Sequence, residues 1–214
     1  MKRLLVIASL LICTFAVNAQ SEKFITAMKE NIAAITPAFQ KPDDLLALAN
    51  KFERIATAEK NQWLPYYYAA YCQVNYAFMN ADKSKSDALA DKATALIKQA
   101  DALEANNSEI SCIKSMIATV HLTVDPMNRY MEYGPESEKN LQAALKQDPT
   151  NPRPEMLIGQ GLKFTPEQFG GGCGTALEKL EAAKTKFESF KPVTELHPNW
   201  GKEYNQQLID DCKK

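Results

Sequence analysis

The sequence has little glycine and almost no histidine, with eight Gly and two His among 214 residues. It also lacks an excess of basic charge, because 25 Lys and Arg stand against 26 Asp and Glu. This balance argues against nucleic acid as a partner, since phosphate binding requires a basic surface. His121 and His197 are far apart and no C-x-x-C occurs, so the sequence also disfavours a zinc site.

Long hydrophobic runs are absent outside the N-terminus. Lys2 and Arg3 precede an apolar stretch over residues 4–17, and Ala19 follows as a small residue. This order is typical of a secretory signal peptide, and the stretch is shorter than the ~20 residues of a membrane-spanning helix. We therefore expect a signal peptide at 1–19, a mature domain at 20–214 without a membrane span, and a periplasmic or secreted location.

Four cysteines remain in the expected mature chain. An even number in an oxidising compartment favours disulfides, and four cysteines allow three pairings. Buried free thiols are the alternative. The residues concerned are Cys72, Cys112, Cys173 and Cys212.

The remaining pattern is helical and repetitive. Apolar residues recur at helical spacing over residues 89–103, and no alternating pattern typical of strands is found. Small residues return at a nearly constant interval, as Ala70, Ser115 and Gly159. A fixed interval of this kind indicates an internal repeat.

The repeat resembles the tetratricopeptide (TPR) family. The string A-L-x-x-D-P-x-N-P at 144–152 is similar to a TPR junction, and so is the later series Ala176, Leu180, Ala183. TPEQFGGG followed by LHPNWG resembles secreted bacterial proteins of this class. The resemblance implies an all-α, right-handed α-α solenoid of TPR-like helical hairpins with a C-terminal capping helix. The implied units are 22–60, 63–105, 108–149 and 152–190, with the capping helix at 199–212.

This architecture suggests a disulfide pairing. It places Cys173 at the start of the last repeat's second helix and Cys212 at the end of the antiparallel capping helix. We therefore expect a Cys173–Cys212 bridge, with Cys72 and Cys112 as the remaining pair. Each bridge would close a loop of about 40 residues, worth roughly 3–4 kcal/mol in the chain-entropy model.

The repeat interval, about 44 residues, exceeds the 34 of the TPR family. The extra length falls between the two helices of each repeat, at 80–87, 123–134 and 165–174. Such loops should emerge on one edge and could form a binding face. In the last of them, Gly170, Gly171 and Gly172 lack the lysine of a phosphate-binding loop, so we expect a tight turn with Phe169 packed back as an anchor. A backbone anion site is the alternative.

Other residues admit two interpretations. Tyr67 and Tyr71 share a helix face and are expected in the core, with an exposed aromatic ledge as the alternative. Met127, Arg129, Tyr130 and Tyr133 are expected in a solvated loop that could contact a ligand. His121 is expected at a helix end and His197 in a tight turn, and neither is placed beside a nucleophile.

The sequence thus predicts a non-catalytic, exported protein-binding or assembly scaffold of TPR type rather than an enzyme. Its partner would be a protein or peptide of the cell envelope, and neither a metal nor an organic cofactor is implied. A periplasmic solute- or glycan-binding protein that uses the aromatic helix at 63–76 is the alternative. The candidate binding face comprises Tyr67, Tyr71, Met127, Arg129, Tyr130, Tyr133, Phe169, Gly170, Gly171 and Gly172.

Overall fold

Helices make up the architecture of residues 22–214, which a computed structural model describes; the predicted signal peptide at 1–19 lies outside this range. No strand occurs within 22–214, so the all-α prediction is confirmed. The helices are α1 (22–33), α2 (Ile35–Ala38), α3 (Pro42–Ala58), α4 (Trp63–Met79), α5 (Ser86–Leu103), α6 (Ser108–Val124), α7 (Pro126–Gln147), α8 (Arg153–Phe164), α9 (Cys173–Ser189) and α10 (Lys202–Cys212). Short 3₁₀ turns lie at Lys83–Lys85 and Glu167–Phe169.

Local signals account for several helix starts. Pro42 occupies the first turn of α3, where its missing N–H is no loss, and Asp43 and Asp44 follow it at the positive end of the helix dipole. Asn107 caps α6 by accepting hydrogen bonds from the backbone N–H of Glu109 at 2.8 Å and of Ile110 at 3.3 Å. These signals fix the first residues of α3 and α6.

The loop predicted at 123–134 is wrong, because most of it is helix. α6 runs to Val124 and α7 begins at Pro126, so a single residue separates them. Asp125 caps α7 through the backbone N–H of Asn128 at 3.4 Å, and its carboxylate also accepts from the Asn128 side-chain amide at 2.7 Å. Proline at the first helical position is preorganised for a helix, so α7 starts at Pro126 directly after its cap.

Successive helices run in opposite directions, and contacts between their termini define two ends of the molecule. At one end the starts of α6 and α8 meet the end of α7, because Asn151 Nδ2 donates to Ser108 Oγ at 3.0 Å and Ser108 Oγ donates to the Ala144 carbonyl at 2.9 Å. At the other end Asp87, at the start of α5, meets His121 near the end of α6 and Arg129 at the start of α7.

The core is built from small residues facing large ones. Ala70, Ala90 and Ala93 are buried in the main cluster, which α3 to α6 dominate. In the C-terminal part, Gly159 lies so close to α9 that an added Cβ would be 2.7 Å from the Leu180 side chain. A glycine at this position lets α8 and α9 approach closely, as the repeat pattern implies.

One predicted disulfide is present and the other is not. Cys173 and Cys212 are bridged and join the start of α9 to the end of α10. Cys72 and Cys112 are buried free thiols, so that part of the prediction is wrong. Cys72 is the tenth residue of α4 and Cys112 the fifth of α6, an offset of about 7.5 Å along roughly parallel axes. A disulfide allows Cα separations only up to about 7 Å.

Candidate functional site: an apolar rim

The tyrosine helix does not provide an open surface. Tyr67 and Tyr71 are 0% and 5% exposed, so their predicted place on a binding face is wrong and their core interpretation holds. The connector at 190–201 covers them: Trp200 Nε1 donates to Tyr67 Oη at 2.8 Å, and the Tyr71 and Trp200 rings lie 4.8 Å apart. The same connector receives a hydrogen bond from Tyr68 Oη to the Leu196 carbonyl at 2.9 Å.

A buried polar network, which we call the clasp, holds this connector in place. It comprises Tyr67, Glu109, Asn151, Arg153 and Trp200. Arg153 is fully buried; its guanidinium donates to Glu109 Oε1 at 2.8 Å and to the Pro198 carbonyl at 2.8 Å. Glu109 also accepts from Asn151 Nδ2 at 2.9 Å and from Tyr67 Oη at 3.3 Å. The clasp therefore joins α4, α6, α8 and the connector in one hydrogen-bonded cluster.

Aromatic rings and burial define the electrostatics of the clasp. The Arg153 guanidinium lies 4.7 Å from the Phe190 ring centre and 5.0 Å from the Trp200 ring centre, a cation–π sandwich. Burial raises the pKa of Glu109, and the Arg153 charge opposes that shift. Burial likewise raises the pKa of Tyr67, so its hydroxyl keeps its proton at neutral pH. The Arg153 and Glu109 charges are paired within the chain, whereas Arg153 Nε is buried without a hydrogen-bond partner.

The opposite end of the molecule is exposed and apolar. Of the nine large hydrophobic side chains that are exposed between 22 and 214, six lie at this end. We call these six the rim: Met79, Met127, Tyr130, Met131, Phe164 and Phe169. Because exposed apolar side chains commonly mark interaction sites, we take the rim as the candidate site. The other three, Leu103, Val193 and Tyr204, lie at helix termini or in the connector at the clasp end.

The first turns of α7 supply half of the rim. Met127, Tyr130 and Met131 have the i, i+3, i+4 spacing that puts side chains on one face of a helix. Both methionines are 82% exposed. α7 has 22 residues and its neighbour α8 has 12, a difference of about 15 Å in length. The N-terminal turns of α7 have no counterpart of equal length in α8, and their apolar face is exposed.

The other face of these turns is anchored to α5 and α6. Arg129 donates from Nη1 and Nη2 to the Asp87 carboxylate, at 2.6 and 2.9 Å, and from Nη1 also to the His121 carbonyl at 3.1 Å. His121 Nδ1 lies 2.8 Å from the Asp87 carboxylate, and the Tyr133 ring stacks on the imidazole at 4.9 Å. Hydrogen bonds from Arg129 and His121 lower the pKa of Asp87 to about 2. Arg129 and Tyr133 thus position the rim instead of lining it.

The glycine stretch shapes the rim beside α8. Gly170 and Gly172 have positive φ, as the turn prediction required. A Cβ on Gly171 would collide with the Thr165 carbonyl, so the chain folds tightly back on itself there. Phe169, however, is 66% exposed, so the prediction that it packs back as an anchor is wrong. The turn presents its ring to solvent instead.

The α8–α9 side of the rim is braced by α10. Lys163, next to Phe164, lies 3.3 Å from Asp211, and the Cys173–Cys212 bridge fastens the following helix to the same part of α10. The Lys163 ammonium also lies 5.4 Å from the Phe164 ring centre. These contacts hold one aromatic side chain and one cation side by side at the edge of the rim.

Among residues 22–214, neither a metal-binding cluster nor an exposed free thiol is found. Residues 22–214 contain no group of three or more His, Cys, Asp or Glu side chains able to hold a metal. Burial raises the pKa of both free thiols, Cys72 and Cys112, so they remain protonated and unreactive at neutral pH. His121 lies in the last turn of α6 and His197 lies in a turn, as predicted. What the rim can do is cover an apolar ligand.

The sequence did not predict three residues of the rim or the central ion pair of the clasp. Met79, Met131 and Phe164 belong to the rim but were not among the candidates. A signal for Met131 was present, because a helix starting at Pro126 puts it on the face of Met127. The pairing of Glu109 with Arg153 spans 44 residues and has no local signal.

Comparison with known proteins places the chain in a family. Among residues 22–214, no helix combines the length and the apolar character needed to cross a membrane. No protein-family model and no curated protein matches the sequence. The solved structure of the HusA haemophore from Porphyromonas gingivalis does match, with a TM-score of 0.80 and 35% sequence identity. The alignment covers 89% of this chain and 92% of that one. The chain therefore belongs to the family of the HusA haemophore.

Proposed function

We propose that the chain is an exported, non-catalytic protein that captures haem at its apolar rim. The observation that carries this proposal is the concentration of exposed apolar side chains at one end of a molecule whose relative is a haemophore. A haemophore is a binding protein rather than an enzyme and acts outside the cell. The predicted signal peptide agrees with export.

The chemistry of the rim fits a porphyrin. Haem is a flat, largely apolar ring with two carboxylates at one edge. The rim provides the aromatic rings of Tyr130, Phe164 and Phe169 for the ring faces, and thioethers that adapt to irregular apolar shapes. Lys163 lies beside these residues, 5.4 Å from the Phe164 ring centre. It has a carboxylate partner in the chain, so a haem carboxylate would compete with Asp211.

Titration with ferric haem, followed by the change in its absorbance, tests the proposal. The rim variant Met127→Ser/Tyr130→Ser/Met131→Ser should lower the affinity by a factor of 100 or more, because burying each such side chain is worth about 1.5–3 kcal/mol. The matched control is Val193→Ser, which removes an exposed apolar side chain (83%) at the clasp end and should leave the affinity unchanged.

Two results would reject haem capture at the rim. The first is that the unaltered mature chain fails to bind ferric haem at low micromolar concentration. The second is that the rim variant, with its helical circular dichroism intact, binds as tightly as the control variant.

A TPR-type scaffold for a protein partner is the second candidate function. Its support is the i, i+3, i+4 apolar face on the overhanging turns of α7, a pattern by which helices bind in grooves. We propose that the hairpins stack as a solenoid and that the partner is an envelope protein. Partner capture from envelope extract with the unaltered chain and with the rim variant tests this role; equal recovery from both would reject it.

A further inference from the structure

Two methionines differ from the others in exposure. Met127 and Met131 each expose 82% of their surface, and Met79 exposes 39%. The remaining methionines between 22 and 214 are shielded by the core: Met28, Met116 and Met156. A solute oxidant therefore reaches the thioethers at the start of α7 far more readily than the rest.

The exposed pair also lies on the apolar face of α7, where a polar group would disturb contact with a ligand. Met127 and Met131 are four residues apart on one face of α7, next to Tyr130. Oxidation converts a flexible apolar thioether into a polar sulfoxide and disrupts methionine-rich contact surfaces. The partly exposed anchor on the other face, Arg129 with Asp87, contains no oxidisable sulfur and keeps the helix in place.

We propose that Met127 and Met131 form a peroxide-sensitive modification site whose oxidation releases the ligand of the rim. Hydrogen peroxide transfers one oxygen atom to each thioether: the O–O bond breaks, a sulfur–oxygen bond forms, and the peroxide leaves as water. The sulfur loses two electrons and the peroxide gains them. The release of ligand rests on the proposed haem capture, whereas the selectivity of oxidation does not.

Loss of these apolar contacts sets the size of the effect. A sulfoxide is polar, so burying it under the ligand no longer gains the free energy that burying the thioether gains. We expect oxidation of both methionines to weaken binding of ferric haem by about tenfold or more. Secondary structure should not change, since the buried methionines are protected.

The experiment treats the mature chain with dilute hydrogen peroxide, removes the peroxide, and measures oxidation of each methionine by peptide mass spectrometry. The same samples are titrated with ferric haem. The matched variant is Met127→Leu/Met131→Leu, which keeps the apolar face and cannot be oxidised there. It should bind haem before and after treatment with equal affinity, while the unaltered chain should lose affinity.

The outcomes test selective oxidation and ligand release separately. If Met127 and Met131 oxidise no faster than Met28 and Met156, the modification site is rejected whatever the chain binds. If they oxidise selectively but the affinity for haem is unchanged, or if the leucine variant loses affinity equally, the link to release is rejected. If the untreated chain does not bind haem at all, haem capture and release both fall, whereas the mass-spectrometric result still decides the selectivity.

Discussion

The two ends of this molecule use opposite chemistry. At the clasp, a buried arginine and a buried glutamate are paired, hydrogen-bonded and enclosed by aromatic rings. At the rim, apolar side chains face solvent and the ionic contacts lie behind them. If the rim binds the ligand as proposed, stability and binding are separated along the helix axes. Changes at the clasp should alter unfolding, and changes to the exposed rim face should alter ligand binding.

Removing the clasp arginine should have the largest effect on stability. Arg153→Ala leaves Glu109 buried without its ion-pair partner, which costs about 3–5 kcal/mol. Urea unfolding followed by tryptophan fluorescence measures the loss, since Trp200 lies in the clasp. The control is Lys213→Ala, which breaks an exposed pair with Glu181 and should cost less than about 1 kcal/mol. Equal losses in the two variants would contradict the role of the clasp.

Opening the disulfide should have the next largest effect. Cys173 and Cys212 are 39 residues apart in sequence, so Cys212→Ala should reduce the free energy of unfolding by roughly 3–4 kcal/mol in the chain-entropy model. Thermal unfolding of the purified variant checks this. Cys72→Ala serves as the contrast, because the difference in free energy of unfolding between this variant and the unaltered chain should be the same with and without reducing agent. Reducing agent should destabilise the unaltered chain itself. A chain insensitive to reduction would argue against the bridge.

Substitutions at two glycines of α8 distinguish the effect of close packing from the effect of helix propensity. Gly159→Ala forces a Cβ against Leu180 and should destabilise the fold by about 1–3 kcal/mol. Gly161→Ala in the same helix meets no atom within 4 Å and should stabilise it by about 0.5–1 kcal/mol. Opposite signs in urea unfolding are expected. If both substitutions stabilise, α8 and α9 are not held as closely as the structure shows.

Acid should weaken the anchor of the rim slightly. The pKa of Asp87 is lowered in the folded state, to about 2, so its contribution is present above the unfolded-state pKa near 4 and is lost as the pH falls towards 2. Because the Asp87 side chain is 42% exposed, we expect no more than about 1 kcal/mol. Thermal unfolding from pH 6 to pH 2 should show the unaltered chain losing its advantage over Asp87→Asn. An advantage that persists at pH 2 would contradict the assignment.

Much of the fold was predictable because its signals are local. Helical periodicity, prolines at helix starts and the small residues Ala70 and Gly159 are all readable in the sequence. The Cys173–Cys212 bridge followed from the placement of two helix ends. By contrast, the burial of Tyr67 depends on the connector at 190–201, whose Trp200 is 133 residues away from Tyr67 in the sequence. No local pattern encodes such a contact.

The rim was predictable only in part, for a related reason. Met127 and Tyr130 were candidates by composition, but their common face appears only when α7 starts at Pro126. The sequence prediction placed Phe169 against the fold as the anchor of a tight turn. The turn is instead closed by backbone hydrogen bonds from Gly171 to the Pro166 carbonyl and from Gly172 to the Leu162 carbonyl, and the ring stays outside.

Nuclear magnetic resonance of methionine methyl groups tests the central claim most directly. The mature chain, labelled with ¹³C at its methionine methyls, is titrated with ferric haem, whose unpaired electrons broaden nearby signals. The account predicts that the signals of Met127 and Met131 broaden first, while those of Met28 and Met156 stay sharp. Broadening of Met156, at the clasp end, with Met127 and Met131 unaffected would place the ligand at the wrong end of the molecule and contradict the account.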